Sequence, residues 1–221
     1  MMSTGCARHK VAPPDHGPLK KVAVLPVSNP GLTTRNENFF AQLSGIGSLA
    51  QSSYNRDKSK EFAQKLGGEQ AIMGEKMTQA LVEELRKQGY ETELIQRVDE
   101  NPKDPEDFDY AKLQADGAIV HLWYDEVGMY SSTFRSDYLP RVNVVVRLFY
   151  PRDEEYIYDE RLYYGADAKA GKNWGILSDP KYRFNSFDAL VNNADTVIES
   201  LDVGVRAIAE RTVQEFQRVT R

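Results

Sequence analysis

The stretch from Arg141 to Tyr150 constrains the fold more than any other, because it alternates with period two. Val142, Val144, Val146, Leu148 and Tyr150 fall on one side of a strand, and Asn143, Val145, Arg147 and Phe149 fall on the other. A helix would scatter these residues around its circumference. Pro151-Arg152-Asp153-Glu154 then has turn chemistry, and Glu155 to Tyr164 is again rich in Tyr, Ile and Leu. Two such runs joined by a short turn predict an antiparallel hairpin. Ala118 to Tyr130, opening with Ala-Ile-Val, predicts a long strand before it.

Upstream the period changes. Met73, Met77, Leu81 and Leu85 recur every four residues between Gln70 and Gln88, flanked by Ile72 and Val82, which predicts an amphipathic helix. Gly89 stands where a left-handed cap belongs, and Arg86 and Lys87 suit the negative helix end. Lys21 to Val27 reads as a buried strand, residues 29 to 37 as a loop, Phe39 to Tyr54 as weakly helical and 57 to 66 as a short polar helix. Tyr90 to Val98 reads as a strand. Residues 99 to 110 form an acidic connection and 165 to 184 an irregular aromatic one. Asn185, with Asp188 three residues on, suits the start of a final helix running to about Val219. Its apolar stripe is Val197, Leu201, Val205, Ile208, Val213 and Phe216. The order predicts an α+β fold, a mixed α/β sandwich. A mixed sheet of about five strands, with a carboxy-terminal antiparallel meander, packs against helices that include a long last one.

The 221 residues suit one globular domain spanning 21–221, preceded by a tether at 1–20. Residues 7 to 21, ARHKVAPPDHGPLKK, contain three prolines and almost nothing apolar, so they cannot join a core. A Pro-rich spacer rises about 3.1 Å per residue, which gives this one a reach of roughly 40 Å. The first 21 residues carry four basic and one acidic side chain, net +3. The whole chain is net -5, with 28 basic and 33 acidic residues, so the remainder is net -8. That balance gives no electrostatic footprint for nucleic acid. No run of 18 apolar residues reads as a transmembrane helix.

The single cysteine excludes an internal disulfide framework and a multi-cysteine metal site. It sits in Ser3-Thr4-Gly5-Cys6-Ala7, where small residues before a cysteine resemble the end of a bacterial lipobox. The resemblance implies diacylation of Cys6, with the export signal expected upstream of Met1. Ser3 stands where the usual leucine would be. Ala7 in place of the Asp that favours inner-membrane retention implies the periplasmic side of the outer membrane.

Three segments, KKVAVLPVSNP at 20 to 30, ALVEELRKQGYETELI at 80 to 95 and ADGAIVHLWYDEVGMY at 115 to 130, resemble a group of bacterial envelope lipoproteins. The group comprises the curli-secretion lipoprotein family, the periplasmic lipoprotein activators of penicillin-binding proteins and, more distantly, the TolB amino-terminal domain. The paired strands VNVVVRLFYP and EEYIYDERLYY fit as well, so the likeness covers about residues 20 to 165. It implies a non-enzymatic accessory protein that binds other envelope proteins.

Chemical motifs are few. Gly45-Ile-Gly47-Ser48-Leu49-Ala50 fits G-x-G-x-x-A but does not follow a strand directly, as a dinucleotide turn requires. There is no G-x-S-x-G, and no cofactor is implied. His9 and His16 lie in the tether. His121 lies mid-strand, where Trp123 and Asp125 would point the same way. No second histidine at ligand spacing supports a metal. A soluble enzyme centred on His121 requires Asp125 and a third polar group to converge with it in a pocket. A subunit of an oligomeric secretion pore is a further alternative. It is disfavoured by Arg135, Asp137 and Arg141 in one hairpin and Arg147, Asp159 and Arg161 in the other, because lipid-facing strands need an apolar outer face.

The favoured reading is a lipid-anchored, protein-binding accessory factor in envelope assembly. Its candidate contact residues are Tyr130, Phe134, Arg135, Tyr138 and Arg141, in a connection longer than a hairpin needs. Tyr and Arg are favoured at interfaces because they join apolar area to a polar end. The alternative is that these aromatics fold onto their own sheet.

Overall fold

The structure, a computed structural model, describes residues 18–36, 45–96, 110–132, 137–151 and 156–220. Its longest strand, β4 (Ala118–Ser131), organises one seven-stranded mixed sheet. On one side β4 pairs antiparallel with β5 (Leu139–Phe149), which pairs antiparallel with β6 (Tyr156–Gly165). On its other side two short strands share it in succession. β1 (Lys21–Val24) runs parallel to Ala118–Val120, and β2 (Leu32–Asn36) runs parallel to Val127–Ser131. β3 (Glu91–Leu94) lies parallel to β1, and β7 (Gly175–Ile176) lies parallel to Tyr163 and Tyr164 of β6.

Among the described residues four α-helices are present: α1 (Gly45–Lys65), α2 (Met73–Lys87), α3 (Phe187–Val191) and α4 (Ala194–Val219). All four feed one core. Val142, Val144, Val146 and Leu148 of β5 are fully buried there with Met73, Met77, Leu81 and Leu85 of α2 and the whole expected stripe of α4. The alternation therefore dictates the layering: one face of the sheet is apolar and takes the helices. A smaller cluster on the reverse face comprises Ala23, Leu25, Leu113, Ile119 and Phe149, and among the described residues no α-helix contributes to it.

Close approach fixes where α4 crosses the sheet. A Cβ on Gly204 would stand 2.7 Å from the Tyr164 ring and 2.8 Å from a Val142 methyl. The start of α2 is satisfied from a distance. Its first amides lack a local side-chain cap, and Asn29 supplies one by accepting from Gly74 N–H at 2.7 Å while its own amide donates to the Ala71 carbonyl at 2.8 Å. Across the core Lys76 joins the helices by pairing with Asp202 on α4 at 2.8 Å and with Glu69.

The mixed α/β class, the meander and the long last helix match the sequence reading. Several details differ. The sheet has seven strands rather than about five, because β2 lies inside the expected loop 29–37 and β7 inside the expected irregular stretch 165–184. β2 alternates only weakly, as Leu-Thr-Thr-Arg-Asn, and its partner on β4 is far away in sequence. The two weak helices are one helix, α1. Ser186, not Asn185, caps the start of the last helical region by accepting from Ala189 N–H at 3.1 Å. The helix then breaks at Asn192 and Asn193 into α3 and α4. Ile72 is exposed rather than part of the α2 stripe.

Leu81 and Leu85 are wholly enclosed, so truncating either to Ala should cost about 2–5 kcal/mol in denaturant titration. Gly204→Val should cost at least as much as a typical overpacking substitution, about 1–3 kcal/mol.

Candidate functional site

The reverse face of β4, β5 and β6 carries most of the polar side chains that the sequence brings into the sheet. The strand register sets them in rows: His121–Arg147–Asp159, then Trp123–Val145–Arg161, then Glu126–Asn143–Tyr163, then Gly128–Arg141–Gly165. A register shift between Tyr124 and Glu126 marks a bulge at Asp125. Beyond it Asp125 and Glu126 both reach partners on this face, Arg161 and Arg141 respectively.

The first cluster centres on His121, which is 1% exposed. Tyr110, from the short 3₁₀ turn Tyr110–Lys112, has its hydroxyl 2.8 Å from His121 Nδ1. Arg147 Nη1 donates to that hydroxyl at 3.3 Å. A guanidinium only donates, so the Tyr110 oxygen accepts from it, while the direction of the Tyr110–His121 bond follows the imidazole tautomer. Burial first, then the neighbouring Arg147 charge, lower the imidazole to about 4. The Arg147 guanidinium lies over both Trp123, 4.9 Å from its centroid, and Tyr156, at 5.0 Å.

The second cluster centres on Arg141, 7% exposed. Both of its cross-strand neighbours are glycines with positive φ, Gly128 at 143° and Gly165 at 82°. A Cβ at Gly128 would meet the Thr33 carbonyl oxygen at 1.8 Å, and one at Gly165 the Pro140 carbonyl oxygen at the same distance. These positions lie beside Arg141 and hold no side chain. The guanidinium stacks on Tyr130, 3.7 Å from its centroid. It donates from Nη1 to Glu126 at 2.6 Å and from Nη2 to Asp167 at 2.9 Å, with Nε 2.8 Å from the second Asp167 oxygen. Asn143 donates to Asp167 at 2.6 Å, and Arg35 lies 3.8 Å from Glu126.

These placements revise the sequence reading residue by residue. Tyr130 and Arg141 do meet, but the meeting is an internal stack within a closed ion-pair network. Tyr138 is 3% exposed and belongs to the core. Its ring packs edge-on against Phe187, and its backbone bridges to Phe184 in both directions at 2.7 and 3.0 Å. Tyr138 and Arg141 are thus both buried within the described structure rather than exposed on its surface. Phe134, Arg135 and Cys6 lie outside the described residues. Asp125 does not join His121, because it accepts from Arg161 at 3.2 Å.

Glu126, Asn143 and Asp167 were missed. The signal was the glycine pair flanking Arg141, which becomes readable only when the register is known. Concavities among the described residues lie elsewhere. A groove of about 270 Å³ lies between β6, residues 171–174 and the end of α4, and a larger open cleft lies beside Leu19, Glu93, Leu113 and Tyr150. Neither is lined by His121 or Arg141. Among the described residues no group of three or more His, Cys, Asp or Glu is placed to hold a metal ion. No described helix is long and apolar enough to cross a membrane.

No family model matches the chain, and no curated protein matches it. Solved structures similar to it include a lipoprotein of Neisseria meningitidis, with 13% identity over 69% of this chain and 88% of that one and a TM-score of 0.31. A hypothetical protein of Chlamydia trachomatis is 12% identical over 86% of this chain and 98% of that one, with a TM-score of 0.29. A neuraminyllactose-binding hemagglutinin homolog of Helicobacter pylori is 11% identical over 93% of this chain and 90% of that one, with a TM-score of 0.31. Likenesses this loose carry no argument about function.

Two outcomes follow from the site. Tyr138→Ala should destabilise the domain by about 3–5 kcal/mol, measured by chemical unfolding, as loss of a buried aromatic does. His121 should make the fold acid-sensitive. Unfolded, it titrates near 6.5, and folded, near 4. Above 6.5 both states are neutral there. As pH falls from 6.5 to 4 only the unfolded state takes the proton, so stability falls by up to about 1.4 kcal/mol per pH unit. His121→Gln, which keeps an acceptor for Tyr110, should flatten that part of the stability–pH curve.

Proposed function

We propose that this chain is a lipid-anchored protein of the bacterial envelope that acts by binding another protein and performs no catalysis. Cys6 carries the anchor, residues 7–20 are the spacer, and the α/β domain is the binding module on the periplasmic side of the outer membrane. The observation that carries the reading is the position of the only cysteine, behind Thr4-Gly5 and fifteen residues ahead of the first strand, with a Pro-rich polar segment between. Two acyl chains give stable attachment, since each buried CH₂ contributes about 0.8 kcal/mol.

The non-catalytic part of the reading is supported by how the polar groups of the sheet are used. His121 is buried, neutral and bonded to Tyr110, and Asp125 is engaged by Arg161. A general base needs reach to a substrate proton, and neither concavity gives His121 that reach. With Tyr138 and Arg141 buried, Tyr130, Phe134 and Arg135 remain the contact candidates of the β4–β5 connection.

Expressed behind a lipoprotein export signal, the chain should partition with membranes, and Cys6→Ser should release it to the soluble periplasmic fraction. Identical fractionation of the two forms would overturn the anchor. Phe134→Ala with Arg135→Ala should weaken capture of the partner by more than about 1 kcal/mol each and leave the melting temperature unchanged. Capture unaffected by both would move the binding surface off this connection.

A further inference from the structure

The outer edge of β6 is open over the stretch between its two ends. β7 pairs with it only at Tyr163 and Tyr164. Tyr163 N–H points outward, since it donates to the Trp174 carbonyl at 2.8 Å. By the two-residue period of a strand, the backbone groups of Arg161 and Asp159 point outward too, while those of Glu160 and Leu162 face β5. Among the described residues no backbone group pairs with the outward amides and carbonyls of Asp159 and Arg161. Both side chains are substantially exposed. Unpaired strand edges are templates for another strand, and proteins often blunt them with charges of one sign. Here the two exposed charges are opposite in sign and two residues apart, which makes the edge complementary to itself.

We propose that two copies of this chain associate through β6, antiparallel about a twofold axis at Glu160, to form one continuous sheet. In that register Asp159 lies opposite the partner's Arg161, and Arg161 opposite the partner's Asp159. Both are hydrogen-bonded pairs, so the outward backbone groups of each copy are satisfied by four inter-chain bonds. On the exposed reverse face the charges then alternate along a row from Arg147 through Asp159 to the partner's Arg161, extending the Arg147–Asp159 contact at 3.3 Å. The alternative register centred on Asp159 sets like charges opposite each other and leaves Arg161 facing an isoleucine. The Glu160 register centres the pairing on the stretch that β7 leaves free; at Tyr163, opposite the partner's Ile157, the partner strand takes the place of β7 in each copy. The two Glu160 side chains meet at the axis on the helix side, in a groove that Lys172 and the Glu215–Arg218 ion pair of each copy also line. This proposal does not depend on the lipid anchor or on a binding partner.

Sedimentation of the full 221-residue chain at rising concentration tests it. The mass should climb from 25.1 kDa toward twice that value. Arg161→Asp alone and Asp159→Arg alone should each stay monomeric where the wild type is dimeric. Their equimolar mixture should regain the dimer, because only the mixed pair restores opposite charges at both positions. A second measurement covers the case in which a charge variant fails to fold. In a Cys6→Ser background, Glu160→Cys should form an inter-chain disulfide on treatment with diamide, since directly opposed non-hydrogen-bonded residues stand about 4.5 Å apart. A wild type that stays at 25.1 kDa up to roughly millimolar concentration overturns the proposal. So do single variants that remain dimeric, a mixture of folded variants that stays monomeric, or a Glu160→Cys chain that does not cross-link.

Discussion

The structure depends on one strand being apolar on one side and polar on the other. β4 runs through the middle of the sheet, is paired along both edges, and offers Val120, Leu122, Val127 and Met129 to the helices. Burying that side against α2 and α4 removes most of the large aliphatic side chains from water, at roughly 25 cal/mol per Å² of apolar surface. It also fixes which way every other side chain of β4 and β5 must point. A one-residue slip would carry Arg147 and Asn143 into the core and the valines out of it. The polar reverse face is a consequence of that choice.

Charged groups on the reverse face must be paired or hydrogen-bonded if they are buried, and here they are. Arg141 resolves the problem with two carboxylates and a tyrosine face, and Arg147 with a tyrosine hydroxyl, an aspartate and two aromatic rings. His121 resolves it by staying neutral. Each solution ties the group to partners within the fold.

Long, strongly periodic elements were legible in the sequence because a single local pattern specifies them. The α2 stripe, the β5 alternation and the α4 stripe all bury the residues that the spacing selects. β2 and β7 were not legible, because each is short and gains its pairing from a strand remote in sequence. The site was harder still. Tyr130 and Arg141 were expected only as members of one contact cluster; that they stack on each other, with Arg141 buried between Gly128 and Gly165 of the neighbouring strands, depends on the register. Tyr138 looked like a loop aromatic because the bridge to Phe184 that draws it inward spans the whole of β5 and β6. His121 and Asp125 share a face, and yet the bulge and Arg161 take the carboxylate elsewhere.

The central claim is that the polar face of the sheet is a closed network serving the fold. A double-mutant cycle on Arg141 and Asp167 measures it most directly, with Arg141→Met, Asp167→Asn and the pair compared by chemical unfolding. If the guanidinium is held as described, the two residues should couple by more than about 1 kcal/mol, as contacting members of one network do. Additive effects, with each single variant near wild-type stability, would show that Arg141 is not fastened into the fold and would return it to the binding surface.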